Sequence, residues 1–243
     1  MTGDPIIEFR GVEKALGESF PLRIDRFILS ESERVVLGGL PGSMGEAMMN
    51  LITGASLPDR GDVIVFGKNT REIRTDTEWL TSLDRFGLVS NRAVLLDQST
   101  IAQNLALPIS LSIDPMPSDV RARVEALAAE VGLPLNDLDR PPEIAYQGSW
   151  QRTRMHLARA LAHQPQVLLL ENPTASFLGF PSDKLGATVR TIVDTRKLSM
   201  LAVTEDDRFA RSSGGRRYRV ERDGSIRPAG FALRRFFFFG WGG

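Results

Sequence analysis

Short apolar runs separated by polar or glycine-containing joins open the chain, and this pattern predicts β-strands. The runs cover residues 6–9, 22–29 and 35–37, and their spacing favours an antiparallel meander. The third run leads directly into a glycine-rich turn at residues 38–46. Residues 47–53 have a helix-compatible composition, and Gly54 is suited to end that helix. A strand, a glycine-rich turn and a helix are therefore predicted in that order.

Farther along, short apolar runs alternate with segments whose apolar residues recur at helical spacing. Strands are predicted at residues 62–66, 86–89, 167–170 and 200–203, helices at 75–84, 120–131, 151–163 and 183–197, and a hairpin at 218–221 with 225–227. The all-apolar run 167–170 is typical of a strand buried on both faces. The alternation predicts an α/β fold with a mainly parallel sheet and antiparallel strands at the N-terminus.

The composition narrows the possible chemistry. The 243 residues include 30 basic and 30 acidic side chains, so no net charge draws the protein to nucleic acid or anionic lipid. The chain has no cysteine, which excludes disulfides, thiolate metal sites and a thiol nucleophile. Residues 1–5 lack the features of a secretory signal, and no apolar run approaches the about 18 residues of a membrane helix. We therefore expect a cytoplasmic protein, or one docked on a membrane-bound partner.

Residues 151–162, followed by 168–174, resemble the signature helix and Walker B strand of ATP-binding cassette (ABC) transporter nucleotide-binding domains. Residues 86–91 and 95–108 are similar to the family's Q-loop and the helix after it, and residues 203–206 lie where the family has its switch histidine. Landmarks in this order are much more specific than a lone glycine-rich turn.

The resemblance implies a P-loop NTPase-like α/β fold, which we expect to form one nucleotide-binding domain over residues 1–228. Residues 91–148 are mostly helix-compatible and punctuated by proline, so a helical subdomain is expected to be inserted at about residues 92–148. Residues 229–243 form an aromatic C-terminal tail that the resemblance does not cover.

The resemblance also implies that the glycine-rich turn is a Walker A loop. In a working loop, backbone N–H groups hold the phosphates, a lysine neutralises the β and γ oxygens, and a hydroxyl ligates Mg²⁺. Counting back from residues 51–54 puts Gly45 at the lysine and Glu46 at the hydroxyl, whereas a register one residue later puts Glu46 and Ala47 there. Neither register supplies a cation, and no lysine occurs between Lys14 and Lys68. The candidate cofactor-binding residues of this loop are Gly39, Gly42, Ser43, Met44, Gly45, Glu46 and Ala47.

Other positions that carry chemistry in the family are also replaced. Glu171 falls on the magnesium-facing aspartate and is the candidate metal ligand, while Asn172 falls on the catalytic glutamate. An amide cannot take a proton from an attacking water, so Asn172 implies a lost general base. Asn91 replaces the Q-loop glutamine, and Glu205 replaces the switch histidine and adds negative charge.

The signature that would clamp a partner's ATP is changed as well. Its candidate residues are Gly148, Ser149, Trp150 and Gln151, of which Gln151 alone matches the family pattern. We expect Trp150 to pack against protein rather than to stack on adenine.

These replacements predict a degenerate, pseudo-ATPase subunit of an ABC membrane transporter that couples or scaffolds rather than hydrolyses. The alternative is a working ATPase in which Arg60, Arg92 or a partner residue supplies the missing cation, and a further alternative is a non-transport interaction module. The resemblance implies ATP and Mg²⁺ as cofactors, with weak or absent binding expected. It implies a transmembrane permease subunit and a second nucleotide-binding chain as partners, in a homo- or heterodimer, without nucleic acid.

Four consecutive phenylalanines at residues 236–239 follow two arginines in the tail. Each could bury about 150 Å² or more, which is a large apolar surface to leave in water. The tail is expected to dock on this domain, on a partner chain or at a membrane interface, unless it is a frayed terminus.

Overall fold

Two β-sheets form the centre of the computed structural model, which describes residues 3–90, 92–142, 150–175 and 181–229. The strands are β1 (Pro5–Leu16), β2 (Ser19–Ser30), β3 (Arg34–Gly38), β4 (Arg60–Val65), β5 (Lys68–Asn69), β6 (Phe86–Ser90), β7 (Val167–Glu171), β8 (Ser199–Val203), β9 (Arg216–Val220) and β10 (Ile226–Pro228). The helices are α1 (Ser43–Ile52), α2 (Asp76–Leu83), α3 (Ile101–Ala106), α4 (Ser118–Val131), α5 (Trp150–Leu161), α6 (Ser182–Arg196) and α7 (Asp207–Ser212). One sheet has the strand order β2-β1-β4-β5, and the other has the order β10-β9-β3-β8-β7-β6. The predicted α/β class is confirmed.

The first sheet is antiparallel, with β1 between β2 and β4. Alternate side chains of β1 point into the core, so that Ile7 and Phe9 are fully buried while Arg10 is exposed. Phe9 lies opposite Phe27 of β2, and their rings meet edge to face with centroids 6.1 Å apart. Such cross-strand aromatic pairs fix the register of two strands.

The predicted antiparallel meander is wrong at its third strand. β3 does not pair with β2 but lies between β8 and β9, parallel to both. The physical reason is burial: Val35, Val36 and Leu37 are each at most 2% exposed. Three consecutive buried residues suit a central parallel strand that is covered on both faces, whereas an edge of the antiparallel sheet would leave every second one in water.

The parallel sheet separates two apolar clusters. In β7, Leu168 and Leu170 pack with α3 to α6, whereas Val167 and Leu169 pack with α1 and the antiparallel sheet. The predicted burial of this strand on both faces is therefore confirmed, because every residue from Val167 to Glu171 is buried. The parallel sheet is therefore the layer that contacts both apolar clusters, one on each of its faces.

Residues 92–99, which we call the 92–99 segment, connect β6 to α3 without regular secondary structure. The fully buried Asn104 of α3 holds this segment. Its amide oxygen accepts a hydrogen bond from Leu96 N at 2.8 Å, and its amide nitrogen donates to Leu96 O at 2.9 Å. An irregular segment lacks the regular backbone hydrogen bonds of a helix or sheet. Here the buried side-chain amide of Asn104 supplies a donor and an acceptor to that backbone instead.

Within the residues described, no helix combines the length and the apolar character that crossing a bilayer requires. From residue 230 onward the predicted aromatic tail lies outside the described ranges.

Candidate functional site

The carboxyl ends of four parallel strands meet at one edge of the sheet. Ser90 at the end of β6 pairs with Glu171 of β7, and Glu171 pairs with Val203 of β8. Leu37 of β3 pairs with the same Val203, and the glycine-rich turn follows directly. In open α/β sheets this edge is the usual place for a ligand.

The glycine-rich turn has a fixed backbone shape. Gly39 and Gly42 both lie in the left-handed region, with φ of 81° and 55°. A Cβ on Gly39 would lie 2.2 Å from Val220 O, so only glycine fits there. The helix α1 begins immediately afterwards at Ser43, earlier than the predicted start at residue 47, and Gly42 is its N-cap residue.

The carboxylate of Glu205 accepts a hydrogen bond from the backbone of this turn. Gly39 N donates to Glu205 Oε1 at 2.5 Å, and Arg219 on β9 lies 3.4 Å from Glu205 Oε2. Glu205 therefore lies beside the loop, and its charge is compensated by an arginine. The amide of a glycine that the resemblance places in the Walker A loop therefore donates to the chain's own carboxylate.

A guanidinium joins the two other acidic site residues. Arg92 Nη1 lies 2.8 Å from Glu46 Oε1, and Arg92 Nη2 lies 2.7 Å from Glu171 Oε2. The Glu171 side chain is only 9% exposed, whereas those of Arg92 and Glu46 are 42% and 43% exposed. The hydrogen bond to Glu171 raises the pKa of Arg92 above its ordinary value, so the guanidinium remains charged.

Gly45 and Asn172 lie near each other, where α1 approaches the ends of β7 and β8. A Cβ on Gly45 would be 3.6 Å from Asn172 Nδ2 and 3.1 Å from Val203 Cγ1. Asn172 has a φ of 42°, a left-handed conformation that asparagine adopts more readily than most residues. Its backbone N donates to Val203 O at 2.8 Å, which fixes the turn after β7.

The groups expected to hold a magnesium nucleotide are bonded to other groups of this chain. The two carboxylates that could ligate Mg²⁺ both bond to Arg92, and Glu205 occupies the Gly39 amide. Among the described residues, no group of three or more histidine, aspartate and glutamate side chains is placed to hold a metal ion. Mg²⁺ is usually bound by one or two carboxylates together with water, so it would have to displace Arg92 from Glu46 and Glu171.

Two of the predicted cations have different surroundings. Arg60 on β4 is 80% exposed and lies 3.8 Å from Glu13 of β1, so it belongs to the antiparallel sheet. Arg92, in contrast, lies between two of the acidic site residues. Sequence reasoning named both without a basis for choosing, and it did not identify Arg219, because these pairings join residues far apart in the chain.

The signature and Q-loop candidates are only partly described. Asn91, Gly148 and Ser149 lie outside the described ranges. Trp150 begins α5, and the guanidinium of Arg154 stacks over its ring at 3.6 Å. This protein contact agrees with the expected packing role of Trp150. Gln151 Oε1 is buried and has no hydrogen-bond partner among the described residues.

His156 of α5 supplies a test of the burial of this helix. Its pKa is lowered from 6.5 to about 4, chiefly by burial, and the charges of Arg159 and Arg152 act in the same direction. The unfolded chain takes up this proton near pH 6.5, so the unfolded state gains stability relative to the folded state as the pH falls toward 4. We expect His156→Gln to lessen acid destabilisation between about pH 7 and pH 4 by roughly 1–3 kcal/mol.

The measurement is urea unfolding across this pH range. His163→Gln is the matched control, because His163 is exposed, and it should leave the pH profile unchanged. Identical profiles for His156→Gln and the natural chain would contradict a buried neutral imidazole.

Comparisons with known proteins agree with this architecture. Over 195 residues the chain is 28% identical to the lipoprotein-releasing system ATP-binding protein LolD of Pseudomonas syringae pv. tomato, spanning 77% of this chain and 84% of LolD. Over 204 residues it is 29% identical to the sulfate/thiosulfate import ATP-binding protein CysA of Synechocystis, spanning 84% of this chain but 55% of CysA. The dimeric ATP-binding cassette MJ0796 bound to ADP and Pi is similar in fold, with a TM-score of 0.73 and 23% identity over 92% of this chain and 98% of that one.

The sequence pattern of the ABC transporter family matches residues 22–175, which is more than half of the 243 residues. This range contains the glycine-rich turn, Arg92, α5 and the end of β7. The chain therefore belongs to the ABC transporter family and carries its ATP-binding domain.

Proposed function

We propose that this protein is a degenerate ATP-binding subunit of an ABC membrane transporter, which couples or scaffolds rather than hydrolyses ATP. The observation that carries the proposal is the charge of the pocket. Glu46, Glu171 and Glu205 all face the strand ends, and each is already paired with an arginine of this chain. Phosphate would have to compete with these carboxylates for Arg92, for Arg219 and for the Gly39 amide.

The contacts support the first of the two Walker A registers. In that register Glu46 stands at the hydroxyl position and Glu171 at the metal-facing position, so the two should converge. They do share one guanidinium, at 2.8 Å and 2.7 Å. Gly45 would then stand at the lysine position, where a Cβ would lie 3.5 Å from Leu40 O and 3.6 Å from Asn172 Nδ2.

The expected energetic effect is large enough to remove ordinary ATP affinity. Hydrogen bonds to charged groups contribute about 1.5–3 kcal/mol each, and the lysine would make at least one of them. A carboxylate about 4 Å from a phosphate charge costs up to about 4 kcal/mol at an effective dielectric near 20. The amide of Asn172 in place of a general base would slow hydrolysis by a further factor of about 10²–10⁴.

The proposed partners are a transmembrane permease subunit and a second nucleotide-binding chain, so that the protein is peripheral on the inner face of a membrane. The names of LolD and CysA, ATP-binding proteins of a releasing system and of an import system, support a transport role. The dimeric MJ0796 cassette supports pairing with a second chain. The same proposal divides the chain into a domain at 1–228, with the subdomain at about 92–148, and a tail at 229–243.

One observation favours a second candidate, a working ATPase that uses Arg92 as its cation. Arg92 is inside the pocket, and 42% of its side chain is exposed, so it could rotate toward a phosphate. Such a rotation would leave Glu46 and Glu171 unpaired next to each other, which is unfavourable unless a metal ion takes its place.

Calorimetry with Mg-ATP on the purified chain separates the two candidates, followed by an ATPase assay on the assembly co-purified from the native host. We expect no magnesium-dependent heat of binding in the micromolar range and no turnover that depends on this chain. Glu171→Gln is the control variant. Binding or normal-rate turnover that this substitution abolishes would establish a working subunit instead.

A further inference from the structure

The link made by Arg92 joins three separate parts of the fold. Glu46 belongs to α1, Glu171 ends β7, and Arg92 begins the 92–99 segment. Both carboxylates bond to different nitrogens of the same guanidinium, at 2.8 Å and 2.7 Å. A planar fork can bridge two carboxylates in this way, whereas an ammonium group is a single point of charge.

The 92–99 segment also forms hydrogen bonds and an ion pair with helices α3 and α5. Arg159 of α5 donates to Val94 O at 2.6 Å, and Arg152 of α5 lies 3.2 Å from Asp97. Asn104 of α3 bonds to the backbone of Leu96 on both sides. The 92–99 segment therefore connects the turn and β7 at one end to α3 and α5 at the other.

The charge balance resembles that of a metal site. Glu171 is nearly buried, and two carboxylates that converge on one point require a cation between them. In the family the resident cation at this point is Mg²⁺, whose ligands would include the groups at positions 46 and 171 in the first register. Here Arg92 supplies the positive charge, and the Gly39 amide receives its anion from Glu205.

We propose that Arg92 is a built-in counter-ion that takes the place of magnesium between Glu46 and Glu171, so that α1, β7 and the 92–99 segment are held together without metal or nucleotide. This inference rests on the proposed function for the assignment of positions 46 and 171. It goes beyond a loss of ATPase activity, because it assigns to the altered site the role of stabilising the contact between α1, β7 and the 92–99 segment.

The test is thermal unfolding of Arg92→Ala in the absence of nucleotide, with and without millimolar Mg²⁺. We expect the melting temperature of the variant to fall by about 2–6 °C and to recover by at least half when Mg²⁺ is added. The natural chain should melt at the same temperature with and without the metal. Hydrogen exchange at residues 92–99 should accelerate in the variant and slow again with Mg²⁺.

Two further variants keep the result interpretable. Arg190→Ala removes an exposed arginine that lies 3.9 Å from Asp194, and it should show neither the fall nor the recovery. Arg92→Lys keeps the charge but loses the fork, so it should melt between Arg92→Ala and the natural chain. If Arg92→Ala does not fold, a melting temperature of Arg92→Lys below that of the natural chain still supports Arg92 as the bridging counter-ion, and an unchanged one overturns the proposal.

The proposal is overturned if Arg92→Ala melts like the natural chain, or if Mg²⁺ stabilises the natural chain as much as the variant. Because nucleotide is absent from the measurement, it is independent of the ATPase assay. ATP turnover by the natural assembly would refute the degenerate-subunit proposal, whereas the melting data alone decide the counter-ion.

Discussion

Replacing Gly45 by lysine and Glu46 by serine together is expected to raise the affinity for Mg-ATP at least about 100-fold above that of the natural chain. The lysine would add one or more charge-assisted hydrogen bonds to phosphate, and removal of Glu46 would abolish a repulsion. The backbone at Gly45 permits the change, because its φ is not in the left-handed region. Its Cβ would be 3.1 Å from Val203 Cγ1, so that side chain must move by only a few tenths of an ångström. Calorimetry measures the gain.

The matched control is Gly45→Gln with Glu46→Ser, which has a side chain of similar length and no charge. It should recover only the part of the affinity that comes from removing the carboxylate. Equal affinities for the lysine and glutamine variants would show that the missing cation is not what limits binding. Turnover is expected to stay slow in both, because Asn172 is unchanged.

Asn104→Ala is expected to lower the free energy of unfolding by about 2–4 kcal/mol, because the substitution leaves buried backbone groups without partners. For a chain of this length the melting temperature should fall by roughly 5–15 °C. Asn104 is 0% exposed and also donates to Thr100 O at 3.0 Å, so water cannot easily take its place. Thermal unfolding followed by circular dichroism provides the measurement.

Asn136→Ala, in the short 3-10 helix Leu135–Asp137, is the control because Asn136 is exposed, and it should change the melting temperature by less than about 2 °C. The lower melting temperature of Asn104→Ala should be accompanied by faster hydrogen exchange at residues 92–99. A stable variant with normal exchange there would show that Asn104 does not hold the segment.

Sequence reasoning located the elements of this fold because each carries its own pattern. The apolar run at residues 167–170 and the periodicity at 120–131 are local signals, and the structure places β7 at Val167–Glu171 and α4 at Ser118–Val131. The prediction for the third strand was wrong because its pairing is not a local property of the sequence. Whether residues 35–37 pair with β2 or with β8 depends on contacts with residues more than 160 positions away, which no local pattern contains.

In the candidate site, too, some residues could be identified from the sequence and others only from the structure. The resemblance identified Glu46, Glu171 and Glu205 as unusual charges because each stands in a recognisable motif. Their partners, Arg92 and Arg219, belong to no motif, and their roles follow from distances that only folding creates. A sequence can thus reveal that a charge has been lost, while the group that compensates for it is revealed by the structure.

Because Arg92 is covalently part of the chain, its effective concentration beside Glu46 and Glu171 is set by the length of its tether rather than by the surrounding solution. A free ion leaves its site when it is diluted or chelated, and a tethered guanidinium does not. EDTA, dialysis and metal starvation should therefore leave this part of the protein unchanged.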